Sequence, residues 1–260
     1  MADREIYPHA PIALVVAEIR HPVRRKLSAA EVEAVGAVLR DALPILRVEQ
    51  VVDVELPSGK QQVSHHPRFV SRSLHQSVTL RPDAVAVETT RYEGWEAFSA
   101  LVATALHARN DIAPLDGVER IGLRYIDELR VPAEAGATNW SEWVAPELLG
   151  PQGLSNVLGA PIQETQGVTI VKTEPGLSYT VRYGIGDGQA VASSPNLVRP
   201  AERSGPFFLI DMDGAWQPIS RGVPEFDPLF VTDTLDALHV PIRSVFESLI
   251  TEKLRQEVLR

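Results

Sequence analysis

Residues 11–22 read Pro11-Ile12-Ala13-Leu14-Val15-Val16-Ala17-Glu18-Ile19-Arg20-His21-Pro22, and residues 121–132 read Ile121-Gly122-Leu123-Arg124-Tyr125-Ile126-Asp127-Glu128-Leu129-Arg130-Val131-Pro132. Both are strand-like runs that close on Glu, an aliphatic residue, Arg, any residue and Pro. Each is followed by a helix-like segment, several strand-like segments and a longer helix. A unit that recurs over about half a chain indicates a duplicated supersecondary block. The spacing divides the sequence into residues 1–115 and 116–260, read as two repeats of one compact pseudo-twofold unit.

Outward from the first phrase, Ser28 and Glu31 have capping-box spacing, with Val32, Val35, Leu39 and Leu43 on one helical face and Pro44 ending the segment. Strands are expected over 47–56 and 62–71, and a hairpin pairs 77–80 with 85–89. A helix is expected over 94–110, with Trp95, Phe98, Val102 and Ala105 aligned. After the second phrase come a short helix near 139–149 and strands at 164–174 and 177–185. A long Gly/Ser/Pro-rich loop spans 187–206 and an apolar strand runs from Phe207 to Met212. The last helix is placed at 240–258, with Pro241 in its first turn. The expected fold is α+β: a duplicated β-α-β(3-4)-α unit forming one curved antiparallel sheet, with two long helices packed on it. This layout is TATA-binding-protein-like, or helix-grip.

Side-chain alternation puts Glu18 with Arg20 on one face, and Glu128 with Arg130. If the two first strands pair antiparallel, Glu18 would meet Arg130 and Arg20 would meet Glu128, a self-complementary seam.

The chain has 260 residues, 44% hydrophobic and 23% charged, within the range of globular proteins. Its net charge of -9 disfavours contact with phosphate backbones. The absence of cysteine excludes disulfides, thiolate metal sites and cysteine nucleophiles. The N-terminal residues Met1 to Glu5 carry no signal-peptide pattern, and the longest apolar run, Pro11 to Ala17, is too short to span a bilayer. A cytoplasmic protein without a membrane segment is expected.

Familiar active-site patterns are missing. His65 and His66 are adjacent, so on a strand they point to opposite faces. With His75 they lack converging ligand spacing, and no metal site is assigned. Asp211-Met212-Asp213-Gly214 lacks the later carboxylates of a calcium loop and reads as a strand closed by a hairpin turn. Gly184-Ile185-Gly186-Asp187-Gly188 fits neither a dinucleotide fingerprint nor a P-loop and reads as a flexible turn. There is no Gly-x-Ser-x-Gly elbow. No catalytic residue and no cofactor is assigned.

The candidate ligand-binding residues are polar side chains on the strands: Arg124 and Tyr125, Tyr179, and Arg182 with Tyr183, alongside Arg91 and Tyr92. Under a helix they would line a cleft for an anionic or planar ligand; alternatively, the arginines close internal carboxylate networks that set register.

Four patches carry a family resemblance: Pro11–Arg20, Arg120–Asp127, Phe208–Asp213 and Phe246–Thr251. In this order they resemble a sporadically distributed family of bacterial and archaeal proteins of similar length, with Arg120 to Asp127 the most specific patch. The family usually has Asn where this chain has Asp127. The resemblance implies a compact duplicated α+β protein and transfers no catalytic residue. The leading functional reading is a non-catalytic interaction protein with a protein partner, such as an accessory component of a defence or other mobile gene cluster. A small-ligand binder or enzyme using a helix-grip cleft, and nucleic-acid binding on the sheet face, are the alternatives. Open sheet edges would also suit a homodimer.

Overall fold

A computed structural model of the protein describes residues 7–55, 60–132, 138–151, 153–160, 162, 164–200, 204–219 and 222–260. The N-terminal residues 1–5, residue 56 of the expected strand 47–56 and residues 201–203 of the expected loop lie outside the described residues. The chain is α+β. Its strands are β1 (Ile12–Arg20), β2 (Ile45–Glu55), β3 (Lys60–Val70), β4 (Gln76–Leu80), β5 (Ala84–Thr89), β6 (Arg120–Leu129), β7 (Thr165–Lys172), β8 (Leu177–Asp187) and β9 (Pro206–Trp216). Among the described residues these strands form one nine-stranded antiparallel sheet in the order β2-β3-β4-β5-β1-β6-β9-β8-β7.

Helices α1 (Ala29–Leu39), α2 (Trp95–Ile112) and α4 (Pro228–Leu249) pack side by side on one face, while α3 (Gly153–Leu158) is short. The Ser28 hydroxyl accepts from the Glu31 amide, and the Glu31 carboxylate accepts from the Ser28 amide, so the expected capping box forms. On β1, Val15, Ala17 and Ile19 are fully buried beneath the helices, as the alternation requires. Three helix-facing stripes close the core: Val35 and Leu39; Phe98, Val102 and Ala105; Leu235, Leu238 and Ile242. Among the described residues no helix is long and apolar enough to cross a membrane.

Four local expectations are corrected. The last long helix begins at Pro228, capped by Asp227, whose carboxylate accepts from the Leu229 amide at 2.9 Å. Pro241 lies in its interior, where the buried stripe runs on unbroken from Leu238 to Ile242. The Asp213-Gly214 pair continues β9, and Gly184 to Asp187 continue β8. A side chain at Gly214 would crowd Leu238, Ile242 and Tyr179, so this glycine lets α4 approach the sheet. The segment 139–149 forms two 3-10 turns, Trp140–Glu142 and Pro146–Leu148.

The central seam is the antiparallel pair β1–β6, with Val15 opposite Tyr125. Its register overturns the expected cross-strand ion pairs. Glu18 faces Gly122 and Arg20 faces Arg120, each eight positions short of the residue expected opposite it. Because the seam centres on Val15 and Tyr125, Glu18 and Glu128 lie at opposite ends, about 20 Å apart at the usual rise per residue. Each carboxylate closes locally. Glu18 takes Arg20 at 2.7 Å, Arg81, and Arg120 at 3.7 Å; Glu128 takes Arg130 at 3.0 Å and Arg199 at 2.5 Å.

Candidate functional site

Alternation divides the five polar strand residues between the two faces of the sheet. Arg124 and Arg182 lie on the face away from the helices. There Arg124 grips Asp211 with two parallel hydrogen bonds, Nε at 2.7 Å and Nη2 at 2.6 Å, and Arg182 stands 3.7 Å from the same carboxylate. Tyr125, Tyr179 and Tyr183 lie on the helix-covered face. Tyr179 is buried beside Gly214 and α4, and the Tyr183 ring lies over Gly167 of the neighbouring strand. Of the five, Tyr125 lines a cavity. The four seam residues all sit on the outer face in the local ion pairs already described.

That cavity, about 360 Å³, lies between the helix-covered face of the sheet and α4. Its floor is built from Ile12 on β1, Tyr125 and Asp127 on β6, and Met212 on β9. Ile12 is opposite Asp127 and Leu14 is opposite Ile126, so one extra residue is inserted between them. This bulge shifts the pleat of β1 and brings Ile12 into the cavity wall. On α4, His239, Ile242, Arg243 and Phe246 line the cavity at helical spacing. The start of α2 supplies Trp95, which stacks on His239 with ring centroids 4.3 Å apart and also bonds Asp236. The preceding turn supplies Tyr92, whose hydroxyl accepts from that of Tyr125 at 3.1 Å. Gly94, the N-cap of α2, adopts φ +118, which a residue with a side chain rarely does. The N-terminal segment closes one side: the Tyr7 hydroxyl donates to Glu247 at 3.0 Å, and Arg255 holds the same carboxylate at 3.1 Å.

Asp127 is 2% exposed and has neither a hydrogen bond nor an ion pair among the described residues. Burial, reinforced by the charge of Asp211, pushes its carboxyl up to about 8. At neutral pH it is therefore mostly a neutral acid, able to donate one hydrogen bond. Burial raises Tyr125 far above the ordinary tyrosine range and Tyr92 less so, which keeps both phenols protonated. The cavity thus offers a carboxyl, two linked phenols and a stacked Trp–His pair within a largely apolar wall.

The outer face has the opposite character. Burial alone would raise Glu128, but hydrogen bonds from Arg199 and Arg130 bring it below the usual carboxylate range. Its Oε1 also accepts from the Ala190 amide at 2.8 Å. Val198 in turn accepts from Thr90 Oγ1 at 2.6 Å and lies 2.7 Å from His75 Nδ1. The described part of the expected 187–206 loop is thus a strap, tied to β6 through Glu128 and to the chain around β4 and β5. His75 is one of its anchors, while His66 bonds Ser64 at 2.9 Å. Among the described residues no group of three metal-ligating side chains converges.

The sequence flagged Tyr125 and Tyr92 but passed over Trp95, His239, Phe246 and Met212 as cavity walls. Asp127 was marked only as an acid in place of the resembled family's Asn. Its usable signal was an acidic side chain two positions from Tyr125, hence on the same buried face. No family model matches the chain, and no curated protein matches it in sequence.

Proposed function

We propose that the protein binds a small, largely apolar molecule in the cavity between α4 and the sheet, with Asp127 as its polar anchor. The observation that carries this reading is Asp127 itself, a buried residue whose carboxyl has no partner among the described residues and opens onto an aromatic cavity. Buried polar groups are almost always hydrogen-bonded, because leaving one unsatisfied costs about 1–3 kcal/mol. A site that keeps such a group open and roofs it with aromatic rings has the composition of a ligand pocket. Native mass spectrometry of the protein isolated from its source under non-denaturing conditions is the test. A small-molecule mass that is released on unfolding, and that is lost in a Met212→Phe variant filling the floor, is expected. Equal retention by a folded Met212→Phe protein would move the site elsewhere.

The architecture supports a duplicated block of the TATA-binding-protein-like or helix-grip kind. Val15 and Tyr125 hold the same place in the two repeated phrases and face one another at the seam. From that seam the sheet runs outward through β5, β4, β3 and β2 on one side and through β9, β8 and β7 on the other. Each half contributes one long helix.

A second reading, as an interaction protein or homodimer, is favoured by apolar side chains exposed towards both sheet edges. These are Leu46, Val48 and Val63 on β2 and β3, and Val168 and Ile170 on β7. Sedimentation of the purified chain tests it: a monomer at micromolar concentration counts against the homodimer. For nucleic acid the support is weakest, since Arg68, Arg120, Arg124, Arg130 and Arg199 are all held by carboxylates.

A further inference from the structure

Three acids are buried among the described residues: Asp127, Glu128 and Asp211. Arginine closes two of them, with Arg130 and Arg199 on Glu128 and Arg124 and Arg182 on Asp211. The third has no cation among the described residues, and it is the one on the wall of the cavity. We infer that the occupant supplies the missing positive charge: the ligand is an organic cation, a protonated or quaternary amine carried on an apolar body. This deepens the ligand-binding reading and rests on it.

The wall suits such a group. Tyr92, Trp95, Tyr125 and Phe246 contribute aromatic rings to one cavity, and ring faces attract a desolvated ammonium. The rim adds Glu93 and Glu96, with Glu93 near Arg91 at 3.6 Å. Glu247 is already held by Tyr7 and Arg255. Arg243 also lines the cavity. An anionic ligand would meet Arg243 but also Glu93, Glu96 and Glu247, with Asp211 on the other side of the sheet. A neutral alcohol would bond to the protonated carboxyl and leave the aromatic faces without an electrostatic role.

Seating a cation changes the protonation of the site. The Asp127 O–H bond breaks, its proton passes to solvent, and the carboxylate pairs with the ammonium. Raising the pH towards 8 should therefore tighten binding by up to about tenfold per pH unit, levelling off above the titration of Asp127. The charged and titratable groups that line the cavity with Asp127 are Tyr125 on its own strand, Tyr92, Glu93 and Glu96 beside α2, His239, Arg243 and Glu247 on α4, and Tyr7 from the N-terminal segment, with Asp211 acting through the sheet.

The test is calorimetric titration of the full chain with shape-matched triplets: ammonium, alcohol and carboxylate derivatives of benzyl, phenethyl and naphthylmethyl bodies. Each is run at pH 7 in two buffers of different ionisation heat. An ammonium probe is expected to bind at least about tenfold more tightly than its alcohol and carboxylate partners, releasing close to one proton. Asp127→Asn should lose that preference and the proton release together, whereas Arg20→Ala, on the outer face of the sheet, should keep both. An alcohol or carboxylate that binds as tightly as its ammonium partner, or an Asp127→Asn protein that retains the preference, overturns the cation and leaves the pocket reading intact. Failure of every probe to bind overturns both.

Discussion

Asp127 and Glu128 are neighbours in sequence and opposites in environment. Alternation along β6 sends one into the cavity beneath the helices and the other to the outer face, where two arginines and a backbone amide enclose it. Both carboxyls are taken from water. For Glu128 the chain provides positive charge, so its ionised form is favoured; for Asp127 it provides none, so the neutral form is favoured. The outer face uses its acids to fix strands and strap, while the inner face leaves one uncommitted. A buried acid is therefore read by its partners as much as by its depth.

The contrast breaks most readily at Glu128. Glu128→Ala leaves Arg130 and Arg199 without their carboxylate and removes the tie between the strap and the Glu128 side chain. A loss of about 3–5 kcal/mol is expected in urea unfolding, because one side of an enclosed ion pair is removed. Replacing Asp127 should act in the opposite direction. Between about pH 4 and pH 8 the folded protein holds a proton on Asp127 that the unfolded chain has released. Stability therefore falls as pH rises through this window and levels off above it. Asp127→Asn should remove that slope and stabilise the protein by roughly 2–3 kcal/mol at pH 9, once relaxation around the carboxylate has reduced the full linkage energy. Urea midpoints of the two proteins measured from pH 4 to 9 check this; parallel profiles would rule out Asp127 as the source.

Smaller effects sharpen the picture. Tyr125→Phe removes a hydrogen bond to Tyr92 beside the cavity and should cost about 0.5–1.5 kcal/mol by the same measurement. Arg20→Ala should change stability by less than about 1 kcal/mol, since Arg20 is over half exposed and Glu18 keeps Arg81 and Arg120. A drop as large as that of Glu128→Ala would make the two ends of the seam equivalent.

Much of the frame was legible in the sequence because it rests on periodicity and caps. The Ser28–Glu31 box, the hairpin around Arg81-Pro82-Asp83 and the adjacency of the two repeated strands all follow from local spacing. The register of those strands was not legible, because it depends on what the whole sheet buries. The misplaced start of α4 has a similar cause. Pro241 looks like a boundary when read locally, yet the stripe from Leu235 to Phe246 buries enough apolar surface to carry the helix through it. Gly214 misled for the opposite reason, its lack of a side chain serving close helix–sheet packing within a strand. Of the site, alternation alone could place Tyr125 and Asp127 together. The rest of the cavity comes from α2 and α4, whose approach no strand pattern specifies.

The place of β1 in the sheet has a consequence for how the protein is made. One edge of this strand belongs to β6, which is synthesised about a hundred residues after it. Until then β5 covers one edge of β1, and among the described residues no other strand covers the second edge. An unpaired apolar edge is a template for association, and contacts this distant in sequence form slowly. The first half of the chain is thus a half-closed sheet awaiting its complement. A fragment ending at residue 115 is expected to self-associate by light scattering, and the second half supplied in trans should reduce that association by taking the place at the edge of β1.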